Sequence, residues 1–238
     1  MAHFLIGDGH YCGAADEPAR LGRLLSMAHR RGMRELSILG DFFELWLGLE
    51  GLEKPWHEAL LAPLFDLKRN GVRMRYVIGN RDYFVTEWNA RHPLFDSVID
   101  GETTVDSPHG QLRLAHGDLV NRADTQYRRW RAFSRSAPLS LIARALPRST
   151  LAGLAAKVAV RLSATNRFHK SYFPETELRT QARSLSPGAV TLVFGHFHEH
   201  HQLTEGDKQI LTLPFLGGEN AGILVTAHGF ERLAAPMA

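Results

Sequence analysis

Five apolar runs in this chain each lead into a short glycine-bearing motif whose polar side chain is of a metal-ligand type. In chain order the motifs are Gly7-Asp8-Gly9-His10, Gly40-Asp41, Gly79-Asn80-Arg81-Asp82, Ala115-His116-Gly117-Asp118 and Gly195-His196-Phe197-His198. In an open α/β sheet such strand ends meet along one edge, and the ligand site lies there. Glycine lets the backbone turn sharply at that edge and come close to a bound ion. Taken singly, a Gly-Asp after a strand is usually a turn, and an isolated histidine usually packs or faces water. Five motifs in one context are not independent accidents. They restrict the chain to a fold that gathers five strand ends in one place.

The segments between the motifs agree with such a fold. Phe4-Leu5-Ile6 reads as a short buried strand. A helix is predicted from about Glu17 to Arg31, with Leu21, Leu24, Leu25 and Ala28 at helical spacing and Gly32 as its stop. Leu36 to Leu39 is the next strand. Pro55 opens a helix with Leu60, Leu61, Leu64, Phe65 and Leu67 on one face, ended by Asn70-Gly71. Val72 to Ile78 follows as a strand, so the order is βαβαβ and the strands are expected to be parallel. Thr103 to Asp106 and Gln111 to Ala115 flank a Ser-Pro-His-Gly turn and read as a hairpin. Val190 to Phe194, Gln209 to Leu213 and Gly222 to Thr226 complete a C-terminal β region.

Asp8, His10, Asp41, Asn80, His116, His196 and His198 supply seven candidate ligands. With one bridging carboxylate they serve two ions with four protein bonds each, and Asp41 is the residue placed to bridge. The imidazoles suit Mn²⁺, Fe²⁺ or Zn²⁺ better than Mg²⁺ or Ca²⁺, which favour all-oxygen shells. Paired ions of this kind sit ~3.5–4 Å apart and make a water nucleophilic at neutral pH.

The 238 residues are 44% hydrophobic, enough for one substantial core, and the net charge of +3 suits anionic partners. Cys12 is the only cysteine, which excludes an internal disulfide and thiol–disulfide chemistry and fits a reducing, cytoplasmic compartment. The N-terminal residues lack a signal-peptide pattern. No apolar stretch approaches the ~20 residues of a spanning helix.

Between Leu119 and Phe173 the composition changes. Asp124 is the one acid there, among Arg122, Arg128, Arg129, Arg131, Arg135, Arg144, Arg148, Lys157, Arg161, Arg167 and Lys170. Trp130, Phe133 and many aliphatic residues are interleaved, and Pro138 and Pro147 divide the stretch into several short helices. The stretch reads as a helical cap, residues 119–175, inserted within a single domain spanning 1–238. Most of its aliphatics are expected to pack onto the sheet, with about a third exposed. Basic and apolar residues so mixed suit an anionic membrane surface. Arg128-Arg129-Trp130-Arg131 is too poor in aromatic neighbours for a base-stacking platform, so no nucleic-acid partner is expected. No protein partner can be read from the sequence.

The order Asp-x-His, Gly-Asp, Gly-Asn, His, Gly-His-x-His resembles the calcineurin-like metallophosphoesterase superfamily. Within it, Gly40-Asp41-Phe42-Phe43-Glu44-Leu45-Trp46-Leu47-Gly48, Gly79-Asn80-Arg81-Asp82-Tyr83-Phe84 and His116-Gly117-Asp118 with Asp124, Tyr127, Arg128 and Phe133 resemble the UDP-2,3-diacylglucosamine pyrophosphatase family of lipid A biosynthesis. The resemblance spans essentially the whole chain. It implies a four-layer αββα sandwich with the helical cap inserted, and two divalent ions, most suitably Mn²⁺. Asp8, His10, Asp41 and His198 would hold one ion, and Asp41, Asn80, His116 and His196 the other. It also implies attack at the α-phosphorus of UDP-2,3-diacylglucosamine, a nucleotide-activated acylated sugar. The products would be UMP and 2,3-diacylglucosamine 1-phosphate, formed by a cytoplasmic enzyme peripheral to the inner membrane.

Arg81 and Asp82 are the catalytic candidates, Arg81 stabilising charge on the diphosphate and Asp82 orienting its neighbours. Asn80, Arg81, Asp124, Ser163, Arg167, Lys170 and His196 are the implied substrate contacts. The chain departs from the family pattern at Arg167, where an Asn is usual, and at Gly9 and Tyr11, where Leu residues are usual. Leu216-Gly217-Gly218-Glu219 also lacks the usual Trp. Two other readings remain open from the residues alone: a metallophosphodiesterase or phosphomonoesterase with a soluble substrate, and a metal-bearing peripheral membrane protein without turnover.

Overall fold

The computed structural model describes residues 1–165, 173–186, 188 and 190–236. Two sheets face each other. The first has six strands: β1 (Ala2–Ile6), β2 (Met33–Ile38), β4 (Arg73–Val77), β6 (Ser97–Ile99), β12 (Ala221–Thr226) and β13 (Gly229–Ala234). Their order is β13-β12-β1-β2-β4-β6, and β1, β2, β4 and β6 run parallel. The second sheet has five strands: β7 (Glu102–Ser107), β8 (Gly110–Ala115), β9 (Val190–Phe194), β10 (Gln202–Glu205) and β11 (Lys208–Thr212). They are ordered β10-β11-β9-β8-β7, with β8, β9 and β11 parallel. A two-stranded ribbon joins β3 (Trp46–Leu47) to β5 (Asp82–Tyr83).

Side-chain alternation along each strand divides the interior into three cores. On β1, Phe4 and Ile6 face α1 (Glu17–Arg30) and α2 (Pro55–Arg69), while Leu5 points the other way. Leu36 and Ile38 of β2, and Met74 and Tyr76 of β4, lie on the helix side with Leu21, Leu24, Leu60 and Leu64. Between the sheets, Leu5, Val77 and Ile223 of one meet Leu112, Leu114, Val193 and Leu211 of the other. On the far side, Leu192, Phe194 and Ile210 pack against Leu178 and Ala182 of α7 (Glu175–Arg183). Helices, sheet, sheet and helix make four layers. Strands buried on both faces read as continuous apolar runs rather than alternating ones, which is why Phe4-Leu5-Ile6 and Val190 to Phe194 stood out in the sequence.

Three further helices lie between β8 and α7: α4 (Thr125–Ser134), α5 (Ala137–Ala145) and α6 (Arg148–Thr165). Pro138 lies in the first turn of α5, and α6 begins directly after Pro147, where a missing N–H is harmless. The aliphatic residues of this stretch are divided between interior and surface. Leu151 is buried and Leu139, Leu146 and Val158 are partly so, whereas Trp130, Phe133, Leu141, Ile142, Leu154 and Val160 are exposed.

Polar groups also tie α4 and α5 to the rest of the molecule. Tyr127 Oη and Arg131 Nε donate to Asp118 Oδ2 at 2.5 and 2.8 Å, and Arg135 Nη2 donates to Gly79 O at 2.5 Å. Arg144 pairs with Glu87 of α3 (Val85–Arg91) and lies 5.1 Å over the Phe84 ring. Arg131 and Arg135 thus turn inward, while Leu141, Ile142, Leu154 and Val160 are exposed. Among the described residues no helix is long and apolar enough to cross a membrane.

Candidate metal centre

The five motifs converge, but from two sheets rather than one. Asp8 and His10 follow β1, Asp41 follows β2 and Asn80 follows β4, all in the first sheet; His116 follows β8 and His196 and His198 follow β9, in the second. Asp8, His10, Asp41, His196 and His198 have φ of 56°, 44°, 51°, 68° and 59°. A left-handed backbone at a non-glycine residue is costly and marks places the surrounding structure over-determines. Here hydrogen bonds donated by backbone N–H groups hold it: Asp8 N to Gly40 O at 3.1 Å, His10 N to Asp41 O at 3.0 Å, and His196 N to the side-chain Asp8 Oδ2 at 2.7 Å. The loops touch so closely that a Cβ on Gly79 would lie 2.2 Å from Asp41 Oδ1, and one on Gly40 would lie 2.6 Å from the Gly79 backbone. Glycine is obligatory at both positions.

Two groups of donors result. Ligand atoms of Asp8, His10 and His198 lie within 4.8 Å of one another, as do those of Asp8, Asp41 and His116. Asp8 belongs to both groups, whereas sequence reasoning singles out Asp41 as the shared carboxylate. Asp8 Oδ1 is buried, has no hydrogen-bond partner among the described residues, and faces His10 Nε2 at 3.7 Å and His198 Nε2 at 3.4 Å. The two Nε2 atoms are 3.0 Å apart. Such spacings suit donors placed roughly 2 Å from one shared divalent ion. In the second group, His116 Nδ1 lies 2.7 Å from Leu39 O and so carries the proton, turning Nε2 toward Asn80 Oδ1 at 3.0 Å and Asp41 Oδ2 at 3.6 Å. His196 sets its ring 5.1 Å from that of His116. The residues fit a divalent-metal site.

The proton affinities point the same way. Burial opposes charge on His10, but the neighbouring carboxylates of Asp8, Glu44 and Asp41 raise it to about 9. Burial is likewise outweighed at His116, which Asp41, Asp8 and Asp118 raise. His196 goes the other way, to about 4, through burial and the neighbouring His116. Asp8, despite burial, is held well below the usual carboxylate range by His10 and His198.

Around the donors stand residues with supporting places. Asp82 is fully buried and accepts three hydrogen bonds at Oδ2: from Gly79 N (2.7 Å), Asp41 N (2.9 Å) and Tyr76 Oη (2.9 Å). Burial and the Asp41 charge push it up to about 6. Asp82 thus joins the two loops and has no exposed face. Arg81 is buried, with Nη1 on Glu44 Oε1 at 2.5 Å and Nε 3.5 Å from Asp41 Oδ2. Glu44, to which sequence reasoning gave no role, has Oε2 3.5 Å from His10 Nδ1. Its signal was its place three residues after Asp41. Phe215, also missed, stacks on His198 with ring centroids 4.6 Å apart and planes 6° from parallel.

Of the implied substrate contacts, Asn80, Arg81 and His196 are at the centre. Asp124 instead caps α4, accepting from Tyr127 N at 2.8 Å. Ser163 lies on α6, but its side chain is outside the described residues, as are Arg167 and Lys170 altogether. Two departures have a local reason. A Cβ on Gly9 would meet Phe42 O at 2.5 Å and the Tyr11 ring at 2.8 Å, so the small residue accommodates the buried ring two positions on. Glu219, at the usual Trp position, pairs with Arg232 of β13.

Four layers with a metal-donor cluster at the strand ends of both sheets define a metallophosphoesterase fold. A structure described as a novel archaeal phosphodiesterase shares it, with a TM-score of 0.53 at 10% identity, covering 99% of this chain and 100% of that one. The UDP-2,3-diacylglucosamine hydrolase of Pseudomonas fluorescens (strain SBW25) is 30% identical over 97% of this chain and 94% of its own. The protein of the same name from Aeromonas salmonicida (strain A449) is 27% identical over 98% and 92%. The chain belongs to the UDP-2,3-diacylglucosamine hydrolase family and is a metal-dependent hydrolase. No family model matches it.

Proposed function

We propose that this protein hydrolyses UDP-2,3-diacylglucosamine with two divalent ions, most suitably Mn²⁺. Water attacks the α-phosphorus, the bond to the bridging oxygen breaks, and UMP and 2,3-diacylglucosamine 1-phosphate leave. The observation that carries the reading is the near-full-length similarity to enzymes of that name in a chain whose buried Asp8 oxygen faces two imidazoles. Asp8, His10, Asp41 and His198 would hold one ion, and Asp41, Asn80, His116 and His196 the other. When bound, the ions would supply Lewis acidity to a phosphoryl oxygen and an acidic water at neutral pH.

The protein groups do the rest. Leu39 O orients His116, and Asp82 holds Asp41 in place. The Arg81 guanidinium, fixed by Glu44 and Asp41, serves the phosphate oxygens, where a preorganised cation is most effective. Asp124, Ser163, Arg167 and Lys170 are retained as proposed contacts of the cap, residues 119–175.

The exposed Trp130, Phe133, Leu141 and Ile142, beside the exposed Arg128 and Arg129, support peripheral docking on the anionic inner leaflet from the cytoplasmic side. Purified protein incubated with UDP-2,3-diacylglucosamine and Mn²⁺ should release UMP. No UMP, with brisk turnover of bis-p-nitrophenyl phosphate, would return the chain to the soluble-substrate reading.

A further inference from the structure

Glu44 stands where two parts of the centre meet, and the backbone on both sides keeps it there. Its segment is laced to the His10 loop by Tyr11 N to Phe42 O at 3.1 Å and Glu44 N to Tyr11 O at 3.0 Å. On the other side Trp46 N bonds Arg81 O at 2.9 Å, the start of the β3–β5 ribbon. From that fixed position the two carboxylate oxygens diverge. Oε1 accepts from Arg81 Nη1 at 2.5 Å; Oε2 lies 3.5 Å from His10 Nδ1, an ion-pair separation rather than a formed hydrogen bond. The Glu44 side chain is only 13% exposed, so water competes weakly for either oxygen.

We propose that Glu44 is a positioning residue that serves the metal site and the phosphate site together. Toward His10 it keeps the imidazole proton on Nδ1, so that Nε2 is free to bind an ion; a carboxylate behind a ligating histidine has this effect generally. Toward Arg81 it fixes the guanidinium against Asp41, and this half rests on the proposed phosphate role of Arg81. A carboxylate is required because both partners donate. Glutamine offers one carbonyl oxygen and one NH₂ group. With its oxygen on Arg81, its NH₂ faces His10 and favours the tautomer whose Nε2 is blocked by a proton. Turned round, its NH₂ meets the guanidinium N–H groups. Aspartate is one methylene shorter and cannot span both.

The test compares wild type with Glu44→Gln and Glu44→Asp by two measurements that need no nucleotide sugar. Competition with a chelator gives the Mn²⁺ affinity, and titration of the Mn²⁺-loaded protein gives the affinity for inorganic phosphate. Glu44→Gln should weaken Mn²⁺ binding by about 10- to 100-fold and phosphate binding by about 10-fold, with an unchanged thermal midpoint for the metal-free protein. If Glu44→Gln is unstable, Glu44→Asp decides by the same measurements. A folded variant that keeps either wild-type affinity overturns the proposal. Because no UDP-2,3-diacylglucosamine is used, failure of the substrate reading would leave this result standing.

Discussion

Asp82 lies beneath Asp41, its Oδ2 2.9 Å from the Asp41 amide nitrogen, and the same oxygen takes Gly79 N and Tyr76 Oη. One buried carboxylate thus joins the loop after β2 to the loop after β4. Asp82→Ala would leave three buried donors without this acceptor and should cost on the order of 3 kcal/mol in urea unfolding. Tyr76→Phe removes one donor and should cost about 1 kcal/mol. Equal losses in the two variants would show that Asp82 is not the hub of these loops.

Metal loading should release protons. His10, raised to about 9, carries a proton near neutral pH in the metal-free centre, and the surrounding carboxylates raise His116 as well; a ligating nitrogen must lose its proton. Rising pH removes the competing proton, so apparent Mn²⁺ affinity should climb from pH 6.5 toward pH 9 (about the pKa of His10). An indicator dye in weak buffer should register acidification on Mn²⁺ addition. A pH-independent affinity with no acidification would rule out these protonation states.

The exposed cap residues should matter for lipid and not for folding. Phe133, Leu141 and Ile142 are 58%, 64% and 54% exposed, so Phe133→Ser combined with Leu141→Gln and Ile142→Gln should shift stability by no more than about 0.5 kcal/mol per site. Sedimentation with anionic liposomes should fall by at least about tenfold, and binding of the parent protein should weaken as salt screens its arginines. Undiminished sedimentation of the triple variant would place the docking face elsewhere.

A group far from the centre should set part of the acid sensitivity. His3 is buried on the same face of β1 as Leu5, with Nε2 2.8 Å from Ser37 Oγ, and burial lowers its pKa to about 4. Its folded pKa is below the unfolded value of about 6.5, so the unfolded chain takes up the proton first as pH falls. Stability is therefore full above pH 6.5 and is lost toward pH 4, with roughly 2 kcal/mol gone between pH 7 and pH 5. Denaturant unfolding of His3→Gln at these two pH values should show a smaller drop than wild type; an identical drop would sink the assignment.

The features legible in the residues alone are local: where each buried strand ends, which side chain follows the glycine, and where α1 and α2 begin and stop. A glycine at a strand end and a leucine every third or fourth residue act on their immediate neighbours, so their consequences can be read in order. The α1 prediction from about Glu17 to Arg31 differs from Glu17–Arg30 by a single residue. The ligand types in the motifs belong to the same class of local information.

Tertiary structure decided the rest, because the deciding contacts join residues distant in the chain. The motifs after β8 and β9 belong to a second sheet, and only the packing of Leu112 and Val193 against Leu5 and Ile223 brings His116 and His198 to Asp8. Glu44 reads as one more acid in a motif until the His10 and Arg81 loops close on either side of it. Which residues of 119–175 face inward was illegible for the same reason. Composition counts arginines and leucines but not their directions, and here buried carboxylates and carbonyls such as Asp118 and Gly79 O drew Arg131 and Arg135 inward, leaving Leu141 and Ile142 exposed.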